Sequence, residues 1–419
     1  MSVHKGEGPL RVGAARRDFQ LPPRVARAGY PAPHVIADVA ATPPEARPGA
    51  EALVFEAGDL RLALLSLDLL LIPESLRDAL REGAPDGLEL VVVASHTHSG
   101  PGGFDDRRLA GLAGTGWPQP LVQEGILRSG LDALGSALDD LRPARLSWHQ
   151  ARAPEGLNRT RTDGIPASES FSVLRMETEA RTHSLVLVAA HPTLAERKGA
   201  LLDADYPGRV QLDPRGGLTL VLQGAGGNAS APAGSPDAAV RVETYARTLE
   251  AAARELVKAP PRQELQEVRP TSELQGGAAR TQPASGPQTS AGREPFHIGL
   301  EQRRVQRELP GPDAGRLVPW FVRGGAERML CGLAPDHAEL TVWELGPLRL
   351  LFVPAEVTAA VEPQLLEAAG ATALVSLADG YLGYVESPQW VRASKGEARR
   401  QLFPPDFATW LTGSAAALR

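Results

Sequence analysis

Two histidines follow a run of small and apolar residues in the stretch VVVASHTHSGPGG, residues 91–103. His96 and His98 are two positions apart, and in an extended chain such residues point to the same side with Cα atoms about 6.6 Å apart. One ring could then bind a metal ion while the other assists it or donates a proton to a bound substrate. The glycines and the proline that follow restrict the bend of the chain. The alternative interpretation is a pair of hydrogen-bonded core histidines.

Polar side chains also follow four other apolar segments, each of which we interpret as a strand. They are His191 after LVLVAA, Ser230 after LTLVLQ, Glu356 after LLFVPA and Tyr381 after ALVSLADG. Open α/β sheets collect their functional groups just beyond the strand ends. Neutral nitrogen and anionic oxygen donors together suit a catalytic zinc ion with one open position. Taken singly, the carboxylate could equally be a helix N-cap and His191 a core residue.

The loop QGAGGNASAP around Ser230 is rich in glycine and alanine. Ser230 has neither a G-x-S-x-G pattern nor an adjacent base in the sequence. Consecutive small residues could present main-chain N–H groups to an anion or an oxyanion. Glycine clusters after strands are also common as ordinary turns, so the loop alone leaves both interpretations open.

Short segments rich in Val and Leu alternate with amphipathic stretches along the chain. EALVFEAGDLRLALLSLD predicts two strands joined by a turn at Gly58 and Asp59, and the apolar spacing of residues 120–141 predicts a long surface helix. FSVLRMETE and SLVLVAAH are typical of a hairpin. These elements predict an α/β fold, a single large domain with mixed β-sheets and flanking helices. Residues 273–295 have the composition of a linker, which we interpret as a flexible insertion.

The chain has 419 residues, of which 42% are hydrophobic, so it can bury a large core. Its 44 basic and 50 acidic residues form no block of like charge, so we expect neither a nucleic acid nor an anionic membrane surface as a partner. A single cysteine, Cys331, excludes an intramolecular disulfide and a cysteine-rich zinc site. The longest apolar run, residues 62–72, contains Asp68 and is too short to span a bilayer. The start MSVHKGEGPL lacks the apolar core of a signal peptide, so we expect a cytoplasmic protein unless a leader was removed.

Seven motifs in this sequence carry a resemblance to a known family. In chain order they are SHTHSGPGG, NRTR, AAHPT, DADYPG, GGNASAP, VPAEVT and ADGYLGYV. The same order is found in the neutral ceramidases, zinc-dependent amidases that hydrolyse N-acylsphingosines to sphingosine and a fatty acid. The resemblance extends from RVGAARRDFQLPP to GYLGYVES. It implies that residues 1–419 form one neutral ceramidase-like catalytic domain with an insertion at about 273–295, without the C-terminal immunoglobulin-like domain of the larger members.

The resemblance also implies a set of site residues. The positions of the family's zinc ligands correspond here to His96, His191, Glu356 and Tyr381. The essential serine corresponds to Ser230, and two further residues of the substrate pocket correspond to His98 and Arg159. In such a site zinc polarises the amide carbonyl and lowers the pKa of a bound water. Ser230 would either attack the carbonyl or position that water.

Two departures from the family pattern bear on the substrate. The family loop usually reads Gly-Asp-x-Ser-Pro, whereas this chain has Asn228 for the aspartate and Ala231 for the proline. The family also carries a pocket tyrosine downstream of the position of Tyr384, where this chain has SPQWVRA. We therefore expect slower hydrolysis of ceramide than in the family, and an Asn228→Asp substitution to raise activity by restoring a charge near His98.

The resulting hypothesis is a zinc-dependent amidase that hydrolyses the amide bond of an N-acyl lipid to a free amine and a fatty acid. A zinc hydrolase of the same fold that acts on a soluble amide or ester is the first alternative. A catalytically silent zinc-binding relative is the second, and the changes at Asn228 and downstream of Tyr384 favour it. Four donors retained on four separate segments argue against an idle site.

Overall fold

The computed structural model describes residues 1–264, 296–313 and 334–419. The strands are β1 Ser2–Pro9, β2 Arg11–Asp18, β3 Arg24–Ala26, β4 Ile36–Asp38, β5 Gly49–Ala57, β6 Leu60–Leu67, β7 Leu88–Ala94, β8 Arg142–Arg152, β9 Arg159–Thr160, β10 Ser170–Thr178, β11 Thr182–Val188, β12 Thr219–Gln223, β13 Ala229–Ser230, β14 Gln263–Glu264, β15 His297–Glu308, β16 His337–Leu345, β17 Leu348–Val353, β18 Glu356–Val357, β19 Ala373–Ser376 and β20 Tyr384–Val385. The helices are α1 Glu74–Gly83, α2 Arg108–Ala110, α3 Pro120–Asp139, α4 Ala238–Leu256, α5 Glu362–Ala369, α6 Pro388–Arg392 and α7 Phe407–Ala416. The insertion predicted at 273–295 lies outside the described residues.

The larger sheet has the strand order β12-β11-β10-β8-β2-β5-β6-β7, and β14 pairs with β8. Its β6–β7 and β11–β12 pairs are parallel and its other pairs are antiparallel, so the sheet is mixed. The two hairpins predicted from the sequence are present as β5–β6 and β10–β11. Gly58 has a φ of 59° in the β5–β6 turn, a conformation that glycine adopts without steric cost.

The smaller sheet has the order β1-β15-β16-β17-β19, with β17 and β19 parallel. One face of each sheet contributes to a shared apolar core, in which the ring centroids of Phe55 and Trp343 lie 6.2 Å apart. Alternation along β5 directs Leu53 and Phe55 into this core and Ala52 and Val54 to the opposite face. The two sheets therefore pack face to face.

Helices cover the outer faces of both sheets. The apolar side of α3 packs on the larger sheet, α4 packs near β10 to β12, and α5 and α7 pack on the smaller sheet. A Cβ at Gly13 of β2 would lie 1.9 Å from the main-chain oxygen of Ala137, so glycine permits the close approach of α3. The four layers confirm the predicted α/β fold with mixed sheets and flanking helices. None of the helices in the described parts of the chain has the length and apolarity needed to cross a bilayer.

Candidate metal centre

The ends of strands from both sheets meet at one place. The main-chain N–H of Ala94, at the end of β7, donates to the oxygen of Leu377 after β19 at 3.1 Å. The N–H of Asp379 donates back to Val92 at 2.7 Å. His191 and Ser230, which follow β11 and β12, form a parallel bridge beside them. The loops predicted to carry the site therefore lie together because the two sheets converge here.

His96 and His98 face each other, although not as an extended pair. His96 has a φ of 69°, in the left-handed region that residues other than glycine rarely adopt. The prediction of an extended H-x-H segment is therefore wrong, yet the two Nε2 atoms are only 3.4 Å apart. Such a conformation costs on the order of 1–3 kcal/mol and is concentrated at functional sites.

The Nδ1 atoms of the three site histidines all point at main-chain oxygens. The distances are 2.6 Å from His96 to Leu70, 2.9 Å from His98 to Gly29 and 2.9 Å from His191 to Gly226. A carbonyl oxygen can only accept, so these contacts assign the proton to Nδ1. Burial lowers the pKa of His191 to about 4 and, with His96 and His191 nearby, lowers the pKa of His98 well below its usual value. The neutral rings of His98 and His191 then present Nε2 lone pairs.

Glu356 completes this cluster with a carboxylate. Its Oε2 lies 2.8 Å from Nε2 of His191 and 3.3 Å from Nε2 of His96, and its Oε1 accepts a 2.6 Å hydrogen bond from the Tyr381 hydroxyl. Burial alone would raise the pKa of Glu356, but the adjacent His96 and His191 hold it well below the usual value. All four predicted ligand side chains are therefore brought together.

The donor set fits a metal ion. One ring nitrogen from each of His96, His98 and His191 lies within 4.8 Å of the others. Nitrogen lone pairs that face each other and a carboxylate repel one another unless a proton or a metal cation lies between them. Main-chain acceptors on the far nitrogens also fix the ring orientation, as is usual for histidines that bind a metal.

Ser230 lies beside this cluster and is held by an arginine. Its Oγ accepts a hydrogen bond from Nε of Arg161 at 2.9 Å. Nη1 of Arg161 donates to the Tyr384 hydroxyl at 3.2 Å, and that hydroxyl lies 3.3 Å from Nε2 of His191. Arg159 pairs with Ser230 through the β9–β13 main chain, while its own side chain is exposed.

The structure thus adds two residues to the sequence-predicted set. Arg161 lies at the end of the NRTR motif, two positions after Arg159, and Tyr384 lies within ADGYLGYV. Both motifs are part of the resemblance to the neutral ceramidases, but their spacing does not show which of the two arginines in NRTR turns inward. The contacts of Ser230 with Arg161, and not the motif itself, identify the inward residue.

Asn228 has a different environment from the one expected. It is fully buried, and its Nδ2 donates to the oxygen of Pro166 at 2.8 Å. Its Oδ1 accepts from the N–H of Ala359 at 3.0 Å. The amide therefore ties the Ser230 loop to two other segments. A carboxylate could not donate to Pro166, so these contacts oppose the expectation that Asn228→Asp raises activity.

Two glycines allow the chain to approach the site closely. A Cβ on Gly29, whose φ is 110°, would lie 2.5 Å from Cα of His98. A Cβ on Gly227 would lie 2.7 Å from the main-chain oxygen of Glu356. Real Cβ atoms essentially never come so close, so both positions need glycine. The loops that hold His98 and Glu356 depend on these contacts.

Two solved structures are similar to this chain over nearly its full length. The first is a neutral ceramidase from Pseudomonas aeruginosa, with 17% sequence identity, a TM-score of 0.71, and coverage of 98% of this chain and 74% of that one. The second is a ceramidase complexed with C2, with 17% identity, a TM-score of 0.72, and coverage of 98% and 75%. The chain therefore has the fold of these neutral ceramidase structures, which confirms the predicted resemblance at the level of the fold.

Comparisons based on sequence gave no match: no family model matches the chain, and no curated protein does. At 17% identity the structural likeness concerns the arrangement of the backbone.

Proposed function

We propose that this protein is a zinc-dependent amidase that hydrolyses the amide bond of an N-acyl lipid to a free amine and a fatty acid. The observation that carries the proposal is the cluster formed by the Nε2 atoms of His96, His98 and His191 and the carboxylate of Glu356. The fold, shared with structures described as ceramidases, supports the amide as the scissile bond.

We assign His96, His191, Glu356 and Tyr381 as the residues that would hold zinc. Neutral imidazole and oxygen donors match the ligand preference of this ion. Bound zinc would supply a Lewis acid for the amide carbonyl. Glu356 would remain anionic, because its pKa is held low by His96 and His191 although burial alone would raise it. Tyr381 hydrogen-bonds Glu356 at 2.6 Å and would complete the set.

Ser230 and the residues around it would carry out the attack on the amide and the proton transfer. Ser230 either attacks the amide carbon or orients the water that does, and the guanidinium of Arg161 stabilises negative charge that develops beside its Oγ. His98, whose Nδ1 is held by the main-chain oxygen of Gly29, would face the substrate amide and take part in the proton transfer from water to the amine. In the net reaction water gives OH to the acyl carbon and a proton to the amine nitrogen.

Exposed apolar side chains on a segment bonded to Gly29 favour a substrate with an acyl chain. Gly29, which accepts from His98, also donates to Gly114 in the π-helical segment Gly111–Thr115 after α2. In this segment 44% of Leu112 is exposed, and 50% of Trp117 is exposed just after it. Apolar surface at the edge of a polar site suits an alkyl chain.

We further propose that residues 1–419 form one catalytic domain, with residues 273–295 as an insertion between β14 and β15.

The test combines metal analysis with an activity panel. We expect one zinc per chain, lost in a His96→Ala, His191→Ala double variant, and zinc-dependent hydrolysis of N-acyl amides that is strongest for long acyl chains. Full zinc content in the double variant would disprove the ligand assignment. Hydrolysis confined to short amides or esters would favour the soluble-substrate alternative. Zinc-loaded protein that hydrolyses none of them would establish the silent relative.

A further inference from the structure

Two guanidinium groups meet at the Tyr384 hydroxyl. Nη1 of Arg161 lies 3.2 Å from this oxygen and Nη1 of Arg400 lies 3.5 Å from it. The Cζ of Arg400 also lies 5.4 Å from the centroid of the Tyr384 ring. Because the same hydroxyl is 3.3 Å from Nε2 of His191, both cations border the candidate metal centre.

The two guanidinium groups share one direct carboxylate partner. Glu397 lies 2.9 Å from Nη1 of Arg400 and 3.8 Å from Nη1 of Arg161. Nη1 of Arg400 makes both of its short contacts inside this group, one with Glu397 and one with the Tyr384 hydroxyl.

The two cations differ in their access to water. The side chain of Arg161 is 19% exposed and is held against Ser230, whereas that of Arg400 is 56% exposed. An anionic group could therefore bind the guanidinium of Arg400 and lose little solvation of its own. Guanidinium groups bind carboxylates through paired N–H donors, which fixes orientation as well as adding affinity.

On the basis of the function proposed above, we infer that the preferred substrate carries an anionic group near the scissile amide, as in an N-acyl amino acid. An uncharged N-acyl amide would form no ion pair with the half-exposed guanidinium of Arg400. Carboxylate and phosphonate share the required chemistry, and the choice between them is part of the test. The residue that would select anionic over neutral substrates is Arg400, because its guanidinium lies beside Tyr384.

The experiment uses zinc-loaded full-length protein and substrates with one acyl chain, below their micellar concentrations. The substrates are N-dodecanoylglycine, N-dodecanoylaminomethylphosphonate and N-dodecanoylethanolamine. We expect kcat/KM for the glycine conjugate to exceed that for the neutral ethanolamine conjugate by about tenfold or more, the scale of one charge-assisted hydrogen bond. We expect the ratio to fall as ionic strength rises. A higher kcat/KM for the phosphonate than for the glycine conjugate would still support an anionic substrate, with a phosphonate as the preferred anion.

Arg400→Gln should reduce the ratio between anionic and neutral substrate by about tenfold. The matched control is Arg247→Gln, which removes the same charge from an exposed position of α4, where 75% of the side chain is in solvent. Calorimetric binding of the glycine and ethanolamine conjugates gives a second readout that needs no turnover. Equal affinity for both, or an unchanged ratio in Arg400→Gln, would overturn the inference. Absence of hydrolysis together with tighter binding of the anion would instead refute only the proposed amidase activity.

Discussion

Nε of Arg161 donates a 2.9 Å hydrogen bond to Oγ of Ser230. Arg159, two positions earlier in the chain, pairs with the same serine only through the main chain. The short β9–β13 ladder explains the arrangement, because it sets the Ser230 main chain alongside the NRTR motif. Under the proposed function, the guanidinium of Arg161 would lie where negative charge develops during attack on a carbonyl.

Arg161→Gln should lower kcat for any amide substrate by about 10²-fold to 10³-fold, as the loss of a donor to developing negative charge usually does. Zinc content should be unchanged, because Arg161 contacts Ser230 and Tyr384 and not the assigned ligands. Arg159→Gln is the matched control, with an exposed side chain in the same motif. A larger loss of kcat in Arg159→Gln than in Arg161→Gln would reverse the two assignments.

Removal of the metal should destabilise the folded protein. Without a cation, Nε2 of His96 and His98 remain 3.4 Å apart beside the Glu356 carboxylate. A ligand that binds only the native state stabilises it by about 2.7 kcal/mol at a concentration of 100 Kd. We expect a chelator to lower Tm by several degrees and added zinc to restore it. The His96→Ala, His191→Ala double variant should show no response to either reagent, and a response of wild-type size would place the stabilising metal elsewhere.

Much of the site could be predicted because its residues follow apolar strands. The site residues follow the ends of the strands β7, β11, β12, β17 and β19 by two to seven positions, and the structure brings these ends together; they are His96, His191, Ser230, Glu356 and Tyr381. Strand ends are readable from local sequence because buried strands need continuous apolar segments. The helix predicted at residues 120–141 is also present, ending at Asp139.

The remaining features depend on contacts between distant segments. Nothing in SHTHSGPGG shows that His96 adopts a φ of 69°, because the main-chain bond from its N–H to Leu69 comes from the loop after β6. The inward direction of Arg161 depends on the β9–β13 pairing, which spans about seventy residues. The environment of Asn228 likewise requires Pro166 and Ala359 in place. Sequence patterns locate such residues but do not orient them.

His183 should make stability depend on pH between neutrality and mild acid. It is buried at the start of β11, and its Nδ1 accepts a 3.0 Å hydrogen bond from the N–H of Leu218. Burial, together with Arg181, lowers the pKa of His183. Near pH 6.5 the unfolded chain therefore binds a proton at His183 that the folded chain does not bind. The free energy of unfolding falls as pH decreases below that value.

The measurement is urea unfolding of wild type and His183→Gln from pH 7.5 to pH 5. The contribution of one group has a slope of at most about 1.4 kcal/mol per pH unit. We expect the free energy of unfolding of wild type to fall more steeply than that of His183→Gln, because glutamine accepts a hydrogen bond without titrating. If the free energies of unfolding of the two proteins change in parallel with pH, protonation of His183 does not destabilise the folded protein.

Asn228→Asp tests whether this position acts through its charge or through its hydrogen bonds. The side chain is fully buried, donates to Pro166 and accepts from Ala359. Aspartate keeps the acceptor but places an oxygen against the Pro166 carbonyl, and an unsatisfied buried polar group costs about 1–3 kcal/mol. We therefore expect a loss of that size in the free energy of unfolding, with lower turnover as the Ser230 loop loosens. Asn228→Ala is the control, because it removes both hydrogen bonds and adds no carboxylate. The difference between the two variants in the free energy of unfolding gives the effect of the added charge. Higher activity in Asn228→Asp at unchanged stability would instead restore the view that this loop lacks a catalytic negative charge.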